Sequence, residues 1–287
     1  MTRRGRLVAR VLFYATAVFV GLPLAFSQAL IATQRQPVSA VAAGFEELWL
    51  SSEGLRLRAW LVPLPDAAMP AAVVVHGLGD SLESFVDEGR RLAQRGHSVL
   101  LLDLRGHGGS QGRYTTLGGR EREDVRAALV ELAARGLASH GFILEGHSMG
   151  AVAVLRAAAG RSDVRAVIAE APYDDYRSNV AQHAWLFYRI PSWLPLVPTT
   201  IAIAEWRAGF DADGVDAVAA ARTVSAPLLA IVDGADPRMT ETIVRRVFDA
   251  HPGPKRIWVA PGAEHAGASL TPGYWPTVEA FLDTFAE

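Results

Sequence analysis

Apolar and polar positions along the chain fall into distinct regimes. Residues 11–32 form a run of 22 positions without a single charge. As a helix at ~1.5 Å per residue that run spans roughly 33 Å, close to the ~30 Å hydrocarbon core of a bilayer. Farther on, Leu55, Leu57, Ala59 and Leu61 alternate with Arg56, Arg58 and Trp60, the period of two of a half-buried strand. Short apolar runs then follow at 71–75, 99–102, 142–144 and 164–169, each separated by a helix-length segment. Such short apolar runs predict parallel strands covered on both faces. In one intervening segment Val125, Ala128, Leu129, Leu132 and Ala133 share a helix face, and Gly136 is its stop. Residues 228–232 and 257–260 add two strands, and a last helix from about Trp275 turns Val278, Phe281, Leu282 and Phe285 inward. Strand–helix alternation of this kind predicts the α/β class, with a doubly wound, mostly parallel sheet.

The alternation fails between Ala171 and Ala226, where prolines 191, 195 and 198 interrupt an aromatic-rich stretch. Eight aromatic residues fall within the 38 positions 173–210, where the chain average gives about three. The segment predicts a small helical cap inserted at about 173–225, over the strand ends. Its aromatics pack the cap onto the domain, line a pocket or dip into a lipid interface. The chain thus divides into an N-terminal segment, 1–34, and one domain with its cap, 35–287, a size one core can fill.

Four arginines (Arg3, Arg4, Arg6, Arg10) precede the uncharged run, and Arg35 alone lies just after it. The positive-inside bias then keeps the N-terminus in the cytoplasm and places the domain outside, tethered by a transmembrane helix. A cleaved signal peptide is the alternative, since Ser27-Gln28-Ala29 offers a small-x-small cleavage site and would release a secreted protein.

Half of the 287 residues are hydrophobic and 20% are charged, which excludes disorder and a coiled coil. With 28 basic against 30 acidic residues, no charge excess points to a nucleic-acid partner. There is no cysteine, so a disulfide scaffold, a thiolate zinc site, an iron–sulfur cluster and a thiol nucleophile are all excluded. No Walker motif, dinucleotide fingerprint or H-E-x-x-H helix is present. No metal or organic cofactor is implied.

Candidate chemistry centres on Gly146-His147-Ser148-Met149-Gly150, a G-x-S-x-G preceded by a strand and followed by a helix. A turn that tight requires neighbours without side chains and pushes Ser148 out beside a helix N-terminus. A serine hydroxyl needs a base, usually a histidine oriented by a carboxylate. Of eight histidines, His147 points away from its neighbour's hydroxyl, and His265 alone lies in the loop between the last strand and the last helix. After strand 228–232, Asp236 is the preferred acid and Asp233 the alternative, giving the order Ser148, Asp236, His265. The turn His76-Gly77-Leu78-Gly79 supplies an oxyanion hole, with the backbone N–H groups of Leu78 and Met149 as donors. His76, Tyr173 and Trp185 are candidate substrate contacts.

These motifs, with Asp103-Leu104-Arg105-Gly106-His107-Gly108-Gly109-Ser110 matching D-x-R-G-H-G-x-S, resemble the α/β-hydrolase superfamily from about Phe45 onward. An N-terminal anchor and a modest cap are similar to membrane-tethered esterase-like and lysophospholipase-like serine hydrolases. The resemblance implies hydrolysis of carboxylic esters, with a small ester or lipid as substrate. A thioesterase, an amidase or a non-catalytic binding domain on the same fold are the alternatives. One departure is the acid turn, Gly234-Ala235-Asp236, a residue shorter than the family's Gly-x-x-Asp, and it keeps Asp233 in play.

Overall fold

The computed structural model describes residues 2–33, 35–65 and 68–286. Helices α1 (Arg3–Thr16) and α2 (Leu22–Ile31) join through one π-helical turn, Ala17–Gly21, into a single rod. Within the rod, Arg3–Ile31, an 18-residue stretch has mean hydropathy 1.9, and by length and composition the helix could cross a membrane. Next come β1 (Glu46–Ser52), β2 (Leu55–Val62), β3 (Ala71–Val75), α3 (Val86–Gln94), β4 (Val99–Leu102), α4 (Glu121–Ala134), β5 (Phe142–His147) and α5 (Met149–Ala158). After β6 (Val164–Glu170) the cap supplies α6 (Tyr176–Tyr188), α7 (Leu196–Ala208) and α8 (Ala217–Ala221). The chain closes with β7 (Leu228–Asp233), α9 (Glu241–Ala250), β8 (Lys255–Ala260) and α10 (Tyr274–Phe285).

The eight strands form one sheet in the order β1-β2-β4-β3-β5-β6-β7-β8. β1 and β2 are an antiparallel hairpin, β2 runs antiparallel to β4, and every later pairing is parallel. Strands β3 to β7 are buried almost throughout because helices cover both faces. Alternate positions along these strands feed two separate layers. Val73, Val75, Leu144 and Val167 pack with α4 and α5, while Val74, Ile143, Ile168 and Leu229 pack with α3 and α10.

The pattern of apolar runs does not predict β1. In that strand only Leu48, Leu50 and Ser52 turn inward, and it is held by a tight hairpin whose Glu53 and Gly54 both have positive φ, 46° and 80°. The last turns of the N-terminal rod touch the rest of the chain. They are docked on the cap and on the loop before α4: Ile31 packs with Ala204 and Ala208 of α7, an Arg207 guanidinium donates to Ser27 Oγ at 3.1 Å, and Thr115 N–H of that loop donates to the Ile31 carbonyl at 3.1 Å.

Candidate active site

β5 ends in the turn that carries Ser148, and α5 begins at the next residue. Ser148 has φ 53° and ψ −113°, a conformation costly for any residue with a side chain. A Ser148 N–H bond to the Glu170 carbonyl, 2.8 Å, helps hold it. A Cβ at Gly146 would lie 2.4 Å from the Gly150 carbonyl oxygen, and one at Gly150 would lie 2.5 Å from the carbonyl oxygens of both Val75 and His76. Only glycine lets β3, the turn and α5 approach this closely.

The Ser148 hydroxyl donates to His265 Nε2 at 2.8 Å, and His265 Nδ1–H donates to Asp236 Oδ2 at 2.5 Å. The three residues come from the ends of β5, β7 and β8, which neighbouring parallel strands deliver to one edge of the sheet. Burial alone would raise the Asp236 pKa. The His265 bond and charge, with the backbone N–H groups of Arg238 and Met239, outweigh it and hold the carboxyl below its ordinary value.

The imidazole ring bonds Asp236 and not Asp233. Its Oδ2 accepts from the Ala266 N–H at 2.7 Å, and Glu170 Oε1 accepts from the Ala268 N–H at 2.9 Å, so two strand ends pin the loop bearing His265. Burial and the adjacent Glu170 carboxylate push Asp233 up to about 8. Behind the turn lies a buried ionisable cluster absent from the expectations above. His147 Nδ1 is 2.9 Å from Glu170 Oε2, with Glu88 and Glu145 oxygens 3.7 and 3.9 Å from Nε2, and the Tyr274 hydroxyl donates to Glu145. Burial disfavours the imidazolium, but these carboxylates prevail and raise His147 to about 10, while burial lifts Glu88 to about 8. Charged residues directly after the apolar runs of β5 and β6 were the available sequence signal, because such strand ends need buried partners.

Leu78 and Met149 both border the pocket beside Ser148. Met149 opens α5, so its N–H has no partner one turn back and points outward. At Gly77 an added Cβ would lie 3.4 Å from Ser148 Cβ, so the turn leading to Leu78 passes directly against Ser148. Tyr173 lines the pocket and donates its hydroxyl to the Leu117 carbonyl.

Two of the expected substrate contacts are corrected. His76 is fully buried, with Nδ1 bonded to the Gly77 carbonyl at 2.7 Å and Nε2 accepting the Leu104 N–H at 3.0 Å. Both ring nitrogens are committed to backbone, and burial, largest among its causes, lowers its pKa to about 3. Trp185 is 52% exposed on the outer face of α6, where Arg189 stacks over it, and it does not border the pocket. Among the described residues two sets bring three possible metal-ligand atoms within 4.8 Å of one another: Glu88, Glu145 and His147, and Asp233, Asp236 and His265. In the second set the ring and the Asp236 carboxylate already bind each other.

The family model described as "Serine aminopeptidase, S33" (Hydrolase_4) matches residues 67–201. The chain is also 31% identical over 217 residues to the uncharacterized protein YqkD of Bacillus subtilis, covering 74% of this chain and 70% of that protein. This chain is an α/β-hydrolase of YqkD's family. Among solved structures, the hydrolase is similar to the Pyrococcus furiosus esterase Pf2001, with TM-score 0.65 and 22% identity over 87% of this chain and 98% of the other. It is similar as well to an acetyl xylan esterase from Paenibacillus sp. R4, with TM-score 0.67 and 17% identity over 93% of each chain. In the hydrolase the D-x-R-G-H-G-x-S turn is a clasp. Asp103 accepts N–H groups of Leu82 and Gly109 at 2.8 and 2.9 Å, and Arg105 forks onto Asp124 through Nε and Nη2 at 2.9 and 2.6 Å.

Proposed function

We propose that this hydrolase cleaves carboxylic esters through an acyl-enzyme on Ser148, with His265 as base and Asp236 as the carboxylate that orients it. The observation that carries the reading is the unbroken relay Asp236–His265–Ser148, at 2.5 and 2.8 Å, opening into a pocket of about 680 Å³. That volume suits a drug-sized organic substrate.

In the first step Ser148 Oγ bonds to the ester carbonyl carbon as its proton passes to His265 Nε2, and the carbonyl oxygen becomes an oxyanion facing the N–H groups of Leu78 and Met149. The carbon–oxygen bond to the alcohol then breaks, and the leaving oxygen takes the proton from His265. In the second step water gives a proton to His265 and attacks the acyl carbon. The carboxylic acid leaves and Ser148 recovers its proton. Asp236, held ionised, keeps the ring in the tautomer that presents a lone pair to Ser148 and stabilises the imidazolium that forms. Esterases among the structural neighbours favour an ester as the scissile bond.

The Arg3–Ile31 rod supports a membrane-anchored protein whose four N-terminal arginines stay in the cytoplasm, with the domain on the opposite side. Amide hydrolysis is the second reading, favoured by the aminopeptidase description of the matching family model. Parallel assays of p-nitrophenyl esters and the corresponding p-nitroanilides test both, and Ser148→Ala is expected to abolish the true activity by a factor on the order of 10⁶. Turnover of anilides but not esters would replace the first reading with the second. Undiminished turnover by the variant would remove both.

A further inference from the structure

The N-terminal helix reaches the site itself. Phe26, Ala29 and Leu30 of α2 border the pocket that contains Ser148 and His265, facing Val180, Ala184 and Phe187 of the cap. A helix whose only task was tethering would have no reason to do this. Here the register is fixed: Phe26 meets Tyr188 edge to face at 5.3 Å between ring centres, Arg207 holds Ser27 and Gln28, and Arg35 donates to the carbonyls of Ser110 and Gly112 at 2.8 and 3.0 Å.

The same helix continues outward as an exposed apolar rod, with Phe19, Leu22 and Leu24 uncovered. On the cap, Phe187, Tyr188, Trp193 and Trp206 are 59 to 81% exposed, Tyr188 against Phe26 of the helix and Trp206 next in sequence to the Arg207 that holds Ser27. Aromatic residues around an apolar helix are the arrangement found at a bilayer interface. One wall of the pocket is therefore continuous with a segment suited to lipid, and the pocket lining is itself mainly apolar between that wall and the cap.

We infer that the end of the N-terminal helix is the acyl-chain wall of the active-site pocket, and that the substrate is a long-chain ester held in the membrane whose chain lies against Phe26, Ala29 and Leu30. The inference rests on the ester-hydrolase reading above. It also makes the helix an integral part of the enzyme, since cleavage beside Ala29 would open the pocket.

The test uses the full chain in detergent micelles. For wild type, Ala29→Trp and Phe26→Ala, kcat/KM is measured on p-nitrophenyl dodecanoate and p-nitrophenyl acetate, together with the labelling rates of Ser148 by a dodecyl and an ethyl fluorophosphonate. Phe19→Ala, on the exposed rod and away from the pocket, is the control and keeps the wild-type ratios. Ala29→Trp, filling the space from a solvent-facing position, is expected to lower the long-to-short ratio by about tenfold or more in both assays, and Phe26→Ala to shift preference toward longer chains. Ratios within about twofold of wild type in both pocket variants, with Ser148 still labelled, overturn the inference. Absence of ester turnover and of labelling in the wild type would instead overturn the ester-hydrolase reading, and the inference with it.

Discussion

Two buried aspartates three positions apart, Asp233 and Asp236, provide a sharp comparison because the structure gives them opposite electrostatic states. Asp236 is held below the ordinary carboxylate range and accepts the His265 Nδ1–H, whereas Asp233 is pushed up to about 8. At pH 7 Asp233 is therefore mainly protonated. Asp233→Asn replaces a neutral carboxyl by a neutral amide of the same shape. The amide oxygen can still accept the Ala266 N–H, and its NH2 can donate to the adjacent Glu170, so stability is expected to change by about 1 kcal/mol or less. Activity is expected to stay within about tenfold of wild type. Asp236→Asn removes a negative charge and presents an N–H donor to Nδ1, which drives the ring to the tautomer whose Nε2 carries the proton. Nε2 then cannot accept from Ser148, and kcat is expected to fall by about 10⁴, or about 5.4 kcal/mol of barrier. The assay is kcat on p-nitrophenyl butyrate at pH 7, paired with thermal melts to confirm folding. Equal losses in the two variants, or an Asp236→Asn enzyme within about tenfold of wild type, would refute this reasoning.

Two further outcomes follow from the packing around the turn. Gly150→Ala forces a Cβ against the backbone carbonyls of Val75 and His76 at 2.5 Å; neither can move cheaply, so a cost of about 3 kcal/mol should lower the melting midpoint by roughly 6–12 °C, and an unchanged midpoint would contradict the close approach. Glu88, Asp233 and His147 all have folded pKa values raised, to about 8, 8 and 10. The folded state thus binds more protons than the unfolded chain, and the stability they contribute is complete below their unfolded values and is lost as pH rises through the folded ones. Denaturant melts from pH 6.5 to 10 should show declining stability, and Glu88→Gln should flatten the part of the decline below about pH 8; a rise over that range would contradict the assignment.

Much of the scaffold was legible in the chain because its physical causes are local. Strands β3 to β7 are covered on both faces, so their sequences are mainly apolar runs bounded by turns, with Arg165 of β6 exposed. Ser148 was legible because the strand, the two glycines and the helix all constrain the same turn. β1 was missed since it is an edge strand with Glu46, Glu47, Trp49 and Ser51 facing outward. The readable signals were its alternation and the Glu53-Gly54 turn. The choice between Asp233 and Asp236 stayed open because it depends on which carboxyl faces His265, a relation between β7 and β8 that no local pattern contains.

The misassigned contacts have a similar origin. Trp185 and Phe187 lie two residues apart on α6, yet only Phe187 turns into the pocket, and a segment without clear helical periodicity does not show which face is which. His76 lies in the same turn as Gly77, but its ring is consumed by the backbone that shapes that turn. The role of Phe26, Ala29 and Leu30 was hidden because residues 11–32 are apolar on every side. A run selected by lipid solubility carries no mark of the few positions that face protein.

The central claim, a nucleophilic Ser148 activated by His265, is tested most directly by reacting the folded full-length hydrolase with a fluorophosphonate and locating the adduct by peptide mass spectrometry. One adduct is expected, on Ser148, formed at least about 10³-fold more slowly after His265→Ala and absent after Ser148→Ala. A folded protein that stays unlabelled, or carries its label on another residue, would contradict it.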